Sequence, residues 1–174
     1  MNALRAIPFL LAVAGPAAGQ ELDSTQIQYR TALVAVRDAL LPVGAAVQAL
    51  RRDLNTAAPI TVAAKTRRLL AACQAARDAL TANRPVFASV RGSERRVNAA
   101  RQLVAAMRTL DGQINEHCQT GLQFENTVVA DSVRAWLPFR SARLLAAEQA
   151  YHEAAASFAR VVEVRIPARL GRDR

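Results

Sequence analysis

Apolar residues recur at alternating spacings of three and four over most of this chain, a period typical of amphipathic helices. The pattern predicts four helices, at about 23–54, 60–82, 93–112 and 126–164. Because the connections between them are of modest length, we expect an all-α fold, an antiparallel four-helix bundle. The apolar stripe predicted for the first helix consists of Ile27, Val34, Leu41, Val47 and Leu50.

Prolines and glycines set the expected kinks and ends of these helices. Pro42 should kink or divide the first helix, and Pro138 should kink the last. Residues 83–92 are predicted as a connection because a proline lies among them. Gly112 is expected to end the third helix in the left-handed capping position, which leaves 113–125 as a loop or a frayed continuation.

The pattern of residues 1–19 is typical of a signal peptide. Arg5 precedes an apolar run at 7–14 that is too short to span a bilayer, and small residues just before Gln20 suit cleavage there. A buried N-terminal helix is the alternative interpretation. Cleavage would deliver the mature chain to the periplasm or the medium, so we expect an exported protein.

The mature chain is then expected to have one domain. Residues 20–166 are predicted to form the helical bundle, followed by a basic C-terminal tail at 167–174. No apolar run after the predicted signal peptide approaches the roughly 20 residues that span a bilayer, so no transmembrane segment is expected in the mature chain.

Export makes a disulfide the expected state of the two cysteines, Cys73 and Cys118, although two buried reduced thiols are the alternative. In a simple hairpin of the second and third helices, Cys73 lies about 15 Å from the loop. On a continuous third helix Cys118 would lie about 38 Å from it. Since a disulfide needs Cα atoms within about 7 Å, the bond predicts that the third helix ends near Gly112 and that the chain folds back.

Composition supports closely packed helices and a basic surface. Apolar residues make up 52% of the chain, many of them alanine, and aromatic residues only 5%. The formal net charge is +9, and every basic residue except Lys65 is an arginine. Arginine binds carboxylates and phosphates with two parallel hydrogen bonds, so in an exported protein the expected partners are lipid headgroups, envelope phosphates or acidic proteins rather than nucleic acid.

Four arginines cluster around the predicted connection between the second and third helices: Arg84, Arg91, Arg95 and Arg96. A helix start favours anions, so this cluster is the candidate site for an anionic group or partner. The alternative is an ordinary solvated end of the bundle, with the arginines reflecting the composition of the source genome.

Motifs for catalysis are missing from the sequence. It contains no phosphate-binding glycine loop, nucleophile elbow or readable Ser/His/Asp set. His117 stands between a glutamate and a cysteine whose side chains would point in different directions on a helix. His152 and Glu148 could form half of a carboxylate-bundle pair, but the other helices do not supply the second, glutamate-rich half. Met107 with His152 could ligate haem, but Met107 lies on a core stripe, where packing is its usual role, and the Cys-x-x-Cys-His motif of covalent haem is absent. No enzyme activity, catalytic residue, metal site or cofactor is therefore predicted.

These observations predict an exported, non-catalytic helical bundle that acts as a binding or structural module in the cell envelope. It would recognise an envelope protein or an anionic surface through its arginine-rich end. The alternative is a bundle that carries haem, a metal or an apolar small molecule in space opened by the two proline kinks. Trp136, Phe139 and Tyr151 would then line the pocket.

Overall fold

A computed structural model describes residues 22–118 and 130–166, and within the last helix the side chains of Val133 and of residues from 142 onward. The described residues form four helices: α1 (Ser24–Asp53), α2 (Pro59–Ala88), α3 (Glu94–Cys118) and α4 (Ala130–Val161). The predicted all-α bundle is confirmed. The predicted signal peptide at 1–19 and the basic tail at 167–174 lie outside the described residues.

The helices pack as two hairpins, α1 with α2 and α3 with α4, joined mainly through α2 and α3. The start of α1, the end of α2 and the end of α4 meet in an aromatic cluster. Phe158 contacts Tyr29 and Phe87 edge to face, with ring centroids 5.3 and 5.4 Å apart. At the same end the side chain of Gln26 donates a hydrogen bond to the carbonyl of Val162 at 3.1 Å. Adjacent helices are therefore antiparallel.

The buried stripe of α1 differs from the predicted one. Ile27 is 51% exposed, and Val34 and Leu41 are only half-buried, so these three predictions are wrong, whereas Val47 and Leu50 are buried. The buried residues of α1 are Ala32, Leu33, Val36, Leu40, Val43, Val47 and Leu50. Apolar residues stand side by side at 33–34 and at 40–41, so the sequence offers two stripes about 100° apart. The stripe that continues in steps of three and four to Leu50 is the one that packs.

The prolines do not divide the helices. Helix α1 continues through Pro42, and the kinks expected there and at Pro138 remain predictions. Helix α2 continues through Pro85 to Ala88, so most of the connection expected at 83–92 is helical instead. Pro85 lies on the exposed side of α2, where water can hydrogen-bond the carbonyl that a proline ring leaves without a donor.

Helix α1 is also long and apolar enough, by length and composition alone, to cross a membrane. Core helices of soluble proteins meet the same criterion, and the buried side of α1 packs against α2 and α4. Its first turn carries a capping box, in which the Asp23 carboxylate accepts from the backbone N–H of Gln26 and the Gln26 side chain accepts from the backbone N–H of Asp23.

Helix α3 does not end at Gly112 but continues to Cys118, so the predicted stop is wrong. The structure nevertheless joins Cys118 to Cys73, with their Cα atoms 6.3 Å apart. The same register places Nε of Arg77 2.9 Å from Oδ1 of Asp111.

The explanation is that the α2–α3 hairpin is staggered. If the two helices ended level with each other, Ala88 would lie opposite Glu94, and Cys73 would lie opposite Thr109. The observed partner of Cys73 is Cys118, nine residues further along α3. In the same way Arg77 would lie opposite Ala105, but its observed partner, Asp111, is six residues further along α3. Helix α3 thus starts about 9–13 Å beyond the end of α2, at 1.5 Å per residue.

Candidate functional site: an arginine cleft between α2 and α3

The stagger creates a cleft of about 380 Å³ where the end of α2 lies against the first four turns of α3. Its volume is within the range of small-molecule sites. The residues that line it are Phe87, Ala88, Val90, Arg91, Val97, Ala100, Arg101, Val104, Ala105 and Arg108. We call this the arginine cleft.

The floor of the arginine cleft is apolar and firmly held. Phe87 and Val90 are buried, and Phe87 is fixed from behind by Phe158 of the aromatic cluster. On α3 the facing residues include Ala100 and Ala105, whose short side chains leave the space open. Beneath the buried residues the cleft is preformed, and the apolar surface that a ligand would meet comes from Ala88, Val97 and Ala105.

The rim carries three exposed arginines. Arg101 and Arg108 are seven residues apart, so they project from one face of α3 about 10 Å apart along its axis. Arg91 comes from the loop after α2, and its Nη1 donates to the carbonyl of Val90 at 3.2 Å. Neither Arg101 nor Arg108 forms an ion pair with any carboxylate in the described part of the chain. Their guanidinium N–H groups are available to a ligand.

Acidic groups near the cleft do not neutralise it. Among the described residues that line the cleft, none is acidic. The carboxylate of Asp111, one turn beyond Arg108, is already paired with Arg77, and both side chains of that pair are half-buried. Glu94, seven residues before Arg101 on α3, is exposed and lies outside the lining. The described lining therefore has three positive charges and no carboxylate, in keeping with the formal net charge of +9.

The arginine cluster selected from the sequence overlaps this site in one residue. Arg91 lines the cleft, whereas Arg84 is half-buried on α2, and Arg95 and Arg96 are exposed in the first turn of α3, which projects beyond α2. Gly92 provides the turn between the helices with φ at +116°, a conformation that residues with a Cβ rarely adopt.

The sequence interpretation missed Arg101 and Arg108. Their spacing of seven on one helix was the available signal, because residues so spaced lie on the same face. The residues facing them could not be identified without the register of α2 against α3.

The predicted pocket wall is described only at Tyr151, since the side chains of Trp136 and Phe139 lie outside the described residues. Tyr151 is 1% exposed, and its hydroxyl has no hydrogen-bond partner among the described residues. Burial raises the pKa of this hydroxyl well above its ordinary range, and the Arg37 guanidinium partly opposes the shift.

A second, smaller groove of about 200 Å³ lies between α1 and α4. The described residues that line it are Val43, Gly44, Val47, Gln48, Leu144, Leu145 and Glu148. Tyr151 does not line this groove, so the predicted wall residue and the observed opening do not coincide.

The two histidines lie in different surroundings. His117 is 1% exposed beside the disulfide, and burial lowers its pKa to about 4, so it is neutral at pH 7. His152 is exposed, with Nε2 3.6 Å from Glu148. Among the residues that the structure describes, no three histidine, cysteine or acidic side chains are grouped so that they could hold a metal ion.

Function has to be inferred from these sites themselves. A comparison with known protein families, curated proteins and solved structures finds no match for this chain.

Proposed function

We propose that this protein is an exported, non-catalytic binding module of the cell envelope that recognises anionic groups through the arginine cleft. The observation that carries the proposal is the convergence of Arg91, Arg101 and Arg108 on one cleft whose described lining contains no carboxylate. An exported protein is also consistent with the Cys73–Cys118 pair, since disulfides persist in oxidising compartments.

The physical basis is the unneutralised positive charge of the rim. Guanidinium groups stay charged at all physiological pH values and donate paired hydrogen bonds to carboxylates and phosphates. The two rim arginines of α3 are about 10 Å apart along the helix, close to the Debye length of about 8 Å at physiological salt. A single anionic group, or neighbouring headgroups on a surface, can therefore interact with more than one arginine at once.

The proposal is tested with vesicles and a matched pair of variants. The cleft variant is Arg91→Gln/Arg101→Gln/Arg108→Gln, and the control replaces three exposed arginines elsewhere, Arg51, Arg52 and Arg68, with glutamine. Both lose three positive charges, so a general charge effect weakens them equally. We expect sedimentation with vesicles of acidic phospholipid to weaken about 100-fold in the cleft variant, since a basic residue at such a surface contributes about 1 kcal/mol.

The control should weaken much less, and wild-type binding should decline as salt rises. Equal weakening of the two variants would show unspecific adsorption and overturn the proposal. So would the absence of wild-type binding to acidic vesicles and to envelope fragments.

One observation favours a second function, a bundle that carries a ligand in its core. The buried Tyr151 hydroxyl has no described partner, and buried polar groups are usually hydrogen-bonded. The native mass of protein recovered from an exporting host separates the two functions. The binding module predicts a chain that begins at Gln20, is two hydrogens lighter than the reduced form and has no adduct. A stoichiometric adduct would favour the carrier.

A further inference from the structure

We infer that the ligand of the arginine cleft is an acidic phospholipid, held with one acyl chain on the apolar floor and its phosphate between Arg101 and Arg108. The inference rests on the proposed function and specifies its ligand. It depends on the apolar floor as well as on the charged rim.

The floor distinguishes a lipid from a simple anion. Phe87, Val90 and Val104 are buried beneath the rim, so the apolar surface open to a ligand comes from Ala88, Val97 and Ala105. Arginine side chains add their own methylene stems to such surfaces. An inorganic phosphate would contact only the guanidinium groups and would leave this surface in water. A ligand with an anionic head and a hydrocarbon chain uses both parts, because removal of apolar area from water is favourable.

The size of the cleft limits how much lipid it can hold. A water molecule occupies about 30 Å³ of liquid, so a cleft of about 380 Å³ has room for about a dozen non-hydrogen atoms. One chain segment with its glycerol linkage fits this volume, whereas two full chains do not. Ala88 and Ala105 at the edges are exposed, so a chain can enter from the side.

The projecting start of α3 suits a membrane surface. Arg95 and Arg96 are exposed on the turn that extends beyond α2, next to the cleft but outside its lining. With a phosphate between Arg101 and Arg108, these side chains would lie about 13 Å closer to the start of α3, where they could bind a neighbouring headgroup. The arginines that lie outside the cleft thus extend its positively charged surface.

The test fills the cleft without changing its charge. Ala105→Trp places an indole at an exposed lining position and keeps every arginine, and Ala75→Trp at an exposed position of α2 outside the lining is the matched control. The probe is lysophosphatidylglycerol below its critical micelle concentration, with binding measured by calorimetry. Glycerol 3-phosphate supplies the head without the chain.

We expect one lysophosphatidylglycerol to bind per protein chain, with an affinity about 50-fold lower in Ala105→Trp. The indole would displace about three methylene groups of the acyl chain, and each methylene group left in water lowers the affinity by about a factor of four. Ala75→Trp should bind like the wild type, and glycerol 3-phosphate should bind far more weakly. Thermal unfolding of both variants checks that they fold.

The experiments distinguish a wrong ligand from a wrong function. If Ala105→Trp binds lysophosphatidylglycerol as well as the wild type, or if glycerol 3-phosphate binds equally well, the lipid assignment is wrong. The proposed function still stands in that case, provided that the triple arginine variant has lost vesicle binding. Tighter binding of an acidic helical peptide, with the same sensitivity to Ala105→Trp, would overturn the lipid in favour of a protein partner.

Discussion

Reduction of the Cys73–Cys118 bond is expected to remove a large part of the stability of this protein. The bond joins the middle of α2 to the last residue of α3, and the two half-cystines are 1% and 0% exposed. The oxidised and reduced forms have the same sequence, and their cores differ by two hydrogen atoms only. The difference in the free energy of unfolding therefore reports mainly on the closed loop.

The magnitude follows from the length of that loop. The sequence separation is 45 residues, for which the chain-entropy relation gives a loss of about 13 cal/mol/K in the unfolded state, or about 4 kcal/mol at 25 °C. Domains of this size are stable by about 5–15 kcal/mol in total. We therefore expect the reduced protein to remain folded at 25 °C but to unfold at a much lower urea concentration.

The assay is urea unfolding followed by circular dichroism, with and without a reductant. Free energies extrapolated to zero urea should be compared rather than midpoints, because the reduced unfolded chain exposes more surface and its m-value is larger. The variant Cys73→Ala/Cys118→Ala should not respond to the reductant. A difference below about 1 kcal/mol between the two forms would refute the reasoning, since it would mean that the bond does not restrict the unfolded chain as a loop of this length must.

Other substitutions test local features of the fold. Gly112→Ala should stabilise the protein by about 0.5–1 kcal/mol, because the residue lies inside α3 and a Cβ there meets nothing within 4 Å. Gly92→Ala should destabilise the protein by about 1 kcal/mol, because the residue has φ at +116°. If urea unfolding showed that both alanine variants are stabilised, or that both are destabilised, the different backbone roles given to the two glycines would be wrong. Stability should fall on acidification from pH 6.5 towards 4, because the folded pKa of His117 is lowered from 6.5 to about 4 and the unfolded chain therefore takes up the proton first. The free energy of unfolding should change with pH by up to about 1.4 kcal/mol per pH unit. Between pH 6.5 and 5, where most carboxylates do not titrate, this dependence should persist in His152→Gln and disappear in His117→Gln. Asp23→Ala should cost about 1 kcal/mol, since its carboxylate accepts a backbone hydrogen bond of 2.7 Å in the first turn of α1; an unchanged urea midpoint would show that this cap does not contribute.

The sequence was sufficient for the number of helices and for the limits of α1, because both depend on local signals. Asp23 is a recognisable N-cap, and the apolar period continues to the polar turn after Asp53. The later limits failed where a helix-breaking residue was given too much weight. Pro85 and Gly112 each lie inside a helix, since packing of the whole stripe outweighs the local cost of one residue.

The arginine cleft could not be derived in the same way. It depends on the shift of α3 along α2, which is set by contacts between residues far apart in sequence, such as Arg77 with Asp111. With flush helices the geometry of the cysteines required a break in α3, and the stagger removes that requirement. The spacing of Arg101 and Arg108 was visible in the sequence, but the apolar floor opposite them was not.

The position of the disulfide also determines how two copies of this chain can interact. Helix α3 is tied to α2 at both of its ends, by the short loop at its start and by Cys118 at its finish. Domain swapping that opens the α2–α3 loop would require the α3–α4 hairpin to leave its own α1–α2 hairpin and dock on that of another molecule. The closed bond prevents this exchange, so a dimer that swaps the α3–α4 hairpin can form only from chains that meet before they are oxidised.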